Sequence, residues 1–409
     1  MNRRNFLVTA SAPLFGALRL PAAQAAPSMK LTRIDTIYWK SRADAPWWPH
    51  WIWVRLHTDT GHTGIGETYP RGEAEAALIH SAVGPALLGR DPRDIDRIGS
   101  DLYHAFDFQI AGGAEMRVLS ALDLALWDLL GNSLGAPVWR LIGGRSNPRV
   151  RLYNTCFPHR YDFHTEPDKI MREVIDRYGI KAIKIWPFDR AAQRNRRQYV
   201  SAADIDEALL PVRKLRDTFF MSIEILLEFH SFWNLTSAVR IAQALEPYKP
   251  MWLEDMLLAG NFPQYRQLAE ATSLPLTVGE RMAGRYQFQQ LLEARAAKYV
   301  MLDVCWCGGL SEARRIAAMA DAYQLPVAPH TAGGPLLFYA STHFSTAATN
   351  LWIQESCQRF YESDWPAMLE NPIVPKDGTV EAPDLAGFGM RIKPEVWDHP
   401  AAVKRTSSL

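Results

Sequence analysis

Three glutamates recur at an interval of 26 residues: Glu228 in LLEFH, Glu254 in PMWLED and Glu280 in LTVGER, each closing an apolar run. That interval fits one strand plus one crossover helix. Three successive parallel strands would then present a carboxylate at the same end of a barrel, the end at which β/α barrels carry their active sites. Carboxylates gathered in this way repel one another unless a divalent cation lies between them, and an all-oxygen donor set favours Mg²⁺. The expectation is a metal-dependent enzyme.

Further polar residues fall at strand ends in the same half of the chain: Lys184 with Trp186 two residues on, His230 two past Glu228, then Asp303, His330 and Glu355. Residues i and i+2 of a strand share a face, which predicts that Glu228 and His230 look into one site and that Lys184 and Trp186 do the same. A single His or Lys in an apolar run is ordinarily a core or surface residue. Burying all of these unpaired would cost several kcal/mol, so a function that uses them is the simpler account.

The elements that must carry these residues are legible as a change of rhythm. LTRIDTIYWK and WIWVRLHTDTGHTGIGE alternate apolar and polar residues, which predicts an antiparallel sheet with a long loop from Ser41 to His50 and a turn supplied by Gly61 to Gly66. In EMRVLSALDLALWDLLGNSLG, Val118, Leu122, Ala125, Leu126 and Leu129 form one stripe of a helix that Gly131 or Gly135 can end. From about Val150, eight short apolar runs (VRLYNTCF, AIKIWPF, MSIEILLEFH, MWLED, LTVGE, YVMLDVCW, PVAPH and WIQES) alternate with helical segments. The fold class read from this is α/β, a parallel barrel with a separate α+β domain. The expected division is a leader at 1–25, an N-terminal α+β domain at 29–147, a barrel at 148–370 and a C-terminal segment at 371–409 that packs back onto the first domain. The charged AAQRNRRQ segment reads as a solvated loop.

With 409 residues, 48% hydrophobic content and a formal charge of +1, the chain has no feature that calls for nucleic acid or an anionic membrane as partner. Its first residues stand apart: Arg3-Arg4 followed by Phe6 and Leu7, then an apolar stretch ending at Ala23-Gln24-Ala25, the pattern of a twin-arginine export signal. The expected location is the periplasm, or the cytoplasm if translation starts at Met29. Cys305 and Cys307 are expected on one strand as packing residues, and Cys156 and Cys357, near the ends of the first and last barrel strands, are a candidate disulfide after export.

The series KIW, EFH, LED, GER, LDV and APH, preceded by ALDLALWDLLGNSLGAPVWRLIGG, resembles the mandelate racemase branch of the enolase superfamily over nearly the whole chain after the leader. The resemblance implies a capping domain built from both termini, a modified (β/α)₇β barrel, and one Mg²⁺ on the residues that match Glu228, Glu254 and Glu280. It also implies one such ion per subunit and a Lys or His base working with Mg²⁺ on an enediolate, the strategy known for the superfamily. His330 is the expected base, with Asp303 fixing its tautomer. Lys184 is expected to add positive charge at the substrate, and Glu355, if protonated, a hydrogen bond.

Two departures from the family pattern refine this. Members that racemise often carry Lys-X-Lys on the second strand, whereas the second position here is Trp186. Many relatives have Asp-X-Asn on the third strand, whereas this chain has Glu228-Phe-His230. Acid-X-His there is similar to the galactonate and mannonate dehydratases, in which the His protonates the departing hydroxyl. Dehydration of a sugar acid to a 2-keto-3-deoxy acid, a hydro-lyase reaction, is therefore the leading expectation. Epimerisation or cycloisomerisation of a sugar acid or anhydro sugar acid is the alternative, and a non-catalytic periplasmic binding protein the minor one. The expected partner is a small-molecule carboxylate, with a homo-oligomer suggested by analogy with relatives. Substrate contacts are expected from Lys184 and Trp186, and from the capping loops that carry Trp47, Trp48, His50, Trp51 and His104, with a seal at the domain interface as the equal alternative for the tryptophans.

Overall fold

The computed structural model describes residues 28–40, 51–105 and 112–409. The leader, Trp47, Trp48 and His50 lie outside these residues. The first layer is an antiparallel sheet of β1 (Leu31–Tyr38), β2 (Ile52–Thr58) and β3 (Thr63–Thr68). The last strand of the chain, Val403–Ser408, adds to the free edge of β1. The first and last described strands therefore both build the cap.

One face of this sheet takes the helix Gly113–Leu134, which ends on Gly135 in a left-handed conformation. Two glycines expected to form a turn have another task. Gly61 does turn, with φ +82°, but Gly64 and Gly66 lie inside β3, where a Cβ on Gly66 would come within 1.8 Å of the Ala121 carbonyl oxygen. Their missing side chains let helix and sheet approach. The helix is buried on most of its circumference rather than along one stripe, because the barrel covers its other side.

The eight expected barrel strands all form: β4 (Val150–Thr155), β5 (Ala182–Ile185), β6 (Glu224–Glu228), β7 (Trp252–Glu254), β8 (Leu276–Val278), β9 (Tyr299–Leu302), β10 (Val327–Pro329) and β11 (Gln354–Ser356). They pair in parallel in the order β10-β9-β8-β7-β6-β5-β4-β11. A parallel bridge from Val327 to Leu351, just ahead of β11, joins the two ends. The strands read as continuous apolar runs because both faces are covered. Helices lie between the strands, with Asp189–Arg194 making helical the start of a segment expected to be a loop.

Inside the barrel the side chains form two layers. Tyr153, Ala182, Leu226, Trp252, Met301, Ala328 and Ile353 pack as an apolar plug. Two residues further along each of these strands stand Thr155, Lys184, Glu228, Glu254, Asp303, His330 and Glu355, all buried. The period of two along a strand returns each side chain to the interior one layer higher. The plug is thus the floor on which the polar layer rests.

The four cysteines are buried free thiols, so the candidate Cys156–Cys357 disulfide is not formed. Cys305 and Cys307 lie in the turn after β9 rather than on it. Among the described residues no helix is long and apolar enough to cross a membrane.

Candidate active site

Glu228 and Glu254 are the last residues of neighbouring strands and stand in register, and Glu280 follows β8 by two residues. Their ligand oxygens all lie within 4.8 Å of one another. One octahedral Mg²⁺ spans about 4.2 Å between opposite oxygens, so the spread is of the right order for a shared ion. Oε2 of Glu228 is buried without a hydrogen-bond partner. Burial, then the charges of Glu254 and Glu280, push the Glu228 carboxyl well above its ordinary value. An orphaned acceptor among crowded acids is what a hard cation with oxygen preference would satisfy. The donor set fits Mg²⁺.

Lys184 bridges two of the acids, with Nζ 2.6 Å from Glu254 Oε1 and 2.9 Å from Glu355 Oε1. Burial opposes its charge, but Glu254 and Glu355 outweigh that and hold the ammonium well above its usual range. Glu355, expected to donate if protonated, is instead an ionised acceptor: burial raises its carboxyl, Lys184 and His330 more than offset this, and the net displacement is downward. It accepts from Thr155, from Lys184, and from the Thr331 N–H at 2.6 Å.

His330 donates through Nδ1 to Asp303 Oδ2 at 2.7 Å, which assigns its tautomer and leaves Nε2 facing Glu280 at 3.3 Å and Glu355 at 3.6 Å. Burial pulls the imidazole down, but Glu355, Glu280 and Asp303 together raise it to about 9. It is a strong base held by a fixed partner. Asp303 is itself held, accepting from the Cys305 N–H at 2.7 Å and from the hydroxyl of Tyr69, a residue of the cap, at 2.5 Å.

His230 reaches the site by a different route from the one expected. β6 stops at Glu228, and His230 and Ser231 have φ of +51° and +60°, so a left-handed turn and not strand parity sets the direction of the ring. Its N–H binds Glu228 Oε1 and its carbonyl accepts from Arg281 at 2.9 Å. Its Nδ1 lies 2.7 Å from Asp189 Oδ2. In the barrel order β6 and β10 are four strands apart in either direction, so His230 and His330 enter from diametrically opposite sides.

A cavity of about 340 Å³ opens over this layer, lined by Lys184, Glu228, His230, Glu280, Arg281, His330 and Glu355 below and by Phe157, Trp186, Trp306 and Tyr69 at its sides. Trp186 packs edge-on against Phe157, Phe163 and His230. Two residues considered for substrate contact lie elsewhere. His104, at the end of the helix Ile95–Ala105, lines a separate cavity between that helix and barrel helices, because its helix leans on the flank of the barrel and not on its mouth. Trp51 is fully buried beside Trp53, sealing the cap.

The architecture can now be set beside known proteins. Residues 49–143 match the family model for the mandelate racemase/muconate lactonizing enzyme N-terminal domain, and residues 168–396 the model for the enolase C-terminal domain-like fold. The chain belongs to the mandelate racemase branch of the enolase superfamily. Within this branch it is 31% identical to a D-galactonate dehydratase of Xanthomonas euvesicatoria over 90% of this chain and 93% of that protein. It is 30% identical to a D-galactonate dehydratase of Ralstonia nicotianae over 93% and 95%. A solved mandelate racemase subgroup enolase from Agrobacterium tumefaciens superposes with a TM-score of 0.85 at 38% identity, covering 93% of this chain and 99% of that one. The chain is an enolase-superfamily enzyme.

Tyr69, Asp189, Arg281 and Trp306 are site residues that the sequence reading did not single out. Arg281, beside Glu280 in GER, carried a signal in its position, since its Nε stands 3.1 Å from that carboxylate. Tyr69 carried none.

Proposed function

We propose that this enzyme removes water from a sugar acid, taking the proton α to the carboxylate and the hydroxyl β to it, to give a 2-keto-3-deoxy acid. The observation that carries the reading is the pair of imidazoles facing each other across the carboxylate triad, one bonded to Asp303 and the other to Asp189. Dehydration needs a base and an acid at adjacent carbons, and a single imidazole supplies only one of them at a time.

In this scheme Nε2 of His330 takes the α proton, and the electron pair of that C–H bond becomes the C=C of an enol. The β C–O bond breaks as His230 delivers a proton to the departing oxygen, which leaves as water. The enol then tautomerises to the 2-keto acid, so the net change is loss of one water. Lys184 offsets negative charge growing on the substrate carboxylate, while Glu254 and Glu355 hold its ammonium and Thr155 donates to Glu355. Glu228, Glu254 and Glu280 would hold a Mg²⁺, which when bound supplies a Lewis acid that makes the α hydrogen acidic. The aromatic sides of the cavity exclude water from the proton transfers. The names of the relatives support an aldonate such as D-galactonate as substrate, and Arg3-Arg4 supports export to the periplasm, testable by cell fractionation.

The deciding experiment incubates the protein with Mg²⁺ and D-galactonate, then a panel of aldonic, uronic and anhydro sugar acids, in D₂O. A 2-keto acid is the expected product. Deuterium at the α carbon without keto acid would replace dehydration by epimerisation, and a mass-neutral change of ring connectivity would replace it by cycloisomerisation.

A further inference from the structure

Asp303 comes from the turn after β9 and binds the imidazole that follows β10. Asp189 comes from the loop after β5 and binds the imidazole that follows β6. Since β9 and β5, like β10 and β6, are four strands apart either way round the barrel, the second pair is the first one repeated half a turn on. The contact distances match as well, 2.7 Å in both.

We infer that Asp189 is a positioning residue of the reaction: it accepts from Nδ1 of His230 and so turns Nε2 toward the cavity, where the doubly protonated ring presents the proton given to the hydroxyl; in the uncharged ring the same bond keeps the remaining proton on Nδ1. This rests on the reading of His230 as the group that assists departure of the hydroxyl. Asp189 opens the helix Asp189–Arg194, yet no side-chain cap bond is made there. Its Oδ1 is buried with no hydrogen-bond partner, so its carboxylate is not held in place by the helix it begins. Its Oδ2 is spent on His230. The ring it orients is wedged between Trp186 and Phe232, at centroid distances of 5.8 and 5.7 Å, and its backbone is tied to Glu228 and Arg281. Packing limits where the ring sits; only the Nδ1 bond distinguishes one nitrogen from the other. A carboxylate that accepts from one imidazole nitrogen fixes which nitrogen is presented to the cavity.

The test uses the full chain with Mg²⁺, histidine-labelled, in the forms wild type, Asp189→Asn and Asp189→Ala, with His230→Asn to assign the signal. Long-range proton–nitrogen NMR at about pH 9, above the ordinary histidine range, reads which ring nitrogen carries the proton. The expected result is Nδ1–H in wild type and in D189N, whose amide oxygen still accepts, and a tautomer mixture or Nε2–H in D189A. With D-galactonate in D₂O, D189A should lose water elimination about 10- to 100-fold, the scale of a misplaced general acid. Solvent exchange at the α carbon should persist within about 3-fold, because it runs through His330. The inference is overturned if the ring proton does not move in D189A, if it moves while elimination keeps its rate, or if exchange and elimination fall together. If wild type forms no keto acid, the dehydration reading fails while the NMR result still decides the role of Asp189.

Discussion

Tyr69 of the capping sheet and Asp303 of the barrel meet at 2.5 Å, hydroxyl to Oδ2, at the same oxygen that receives His330. The cap therefore contributes a group to the basic pair, and it does so beside two other contacts from the end of β3: Thr68 Oγ1 to the Cys305 carbonyl at 2.8 Å, and Glu67 to the N–H groups of Leu336 and Leu337 at 3.0 and 3.1 Å. Tyr69→Phe should leave the fold intact and lower kcat/KM by about tenfold, the scale of one hydrogen bond to a charged group. Steady-state kinetics beside a melting curve checks this; an unchanged kcat/KM would make the contact purely architectural.

Metal removal has a sign that the crowding of acids dictates. Glu228→Gln should abolish Mg²⁺ binding by calorimetry yet leave the metal-free protein as stable as wild type or more so, since it removes one of three mutually repelling carboxyls. Wild type, in contrast, should gain melting temperature with Mg²⁺ in the manner of any ligand bound only by the native state. A metal-free E228Q protein that melts well below metal-free wild type would count against this description of the triad.

Lys184→Met removes the ammonium that bridges two buried carboxylates, Glu254 and Glu355. Uncompensated buried charge of this kind costs roughly 3–5 kcal/mol. Denaturant titration should record a loss of that order, and adding Glu355→Gln to the variant should restore part of it.

His343 predicts how stability responds to acid. It lies where the barrel helix Pro335–Ala347 meets the connection into β4: Nδ1 accepts from the Trp139 N–H at 3.0 Å and Nε2 faces the Phe388 carbonyl at 3.2 Å, an arrangement only the neutral ring can make. Burial pulls its pKa down to about 3. The unfolded chain, with an ordinary value of about 6.5, binds the proton more readily. The stability that depends on the neutral ring is therefore complete above about pH 6.5 and is lost as pH falls toward 3, by up to about 1.4 kcal/mol per unit. His343→Gln should flatten the melting temperature against pH between those limits; an unaltered slope would refute the assignment.

Much of the site was legible because its residues obey strand rules. Glu228, Glu254, Lys184 and Glu355 lie on strands, and the pitch of a strand plus a helix places them at one end whatever the helices contain. Asp303, Glu280 and His330 sit one or two residues past their strands and inherit the same direction. His230 was found by a rule that does not apply to it, since the chain has left the strand by then and a left-handed turn decides its aim. Tyr69 and Asp189 were invisible for another reason. Each belongs to an element whose own pattern is satisfied without it, and each meets a partner distant in the chain, Asp303 and His230, through a docking that local sequence does not encode. His104 went the opposite way, a residue type suited to a binding loop that serves instead the flank of the barrel, while Trp51 follows the packing alternative for the tryptophans, buried inside the cap.

The stack of Tyr153, Leu226, Trp252, Met301 and their neighbours beneath the polar layer closes the barrel from below. With the base closed, nothing passes through the lower end of the barrel, and whatever the enzyme binds comes and goes from above the polar layer. Reactant and product then use the same side of the barrel, so product accumulating in solution should compete with substrate for the site.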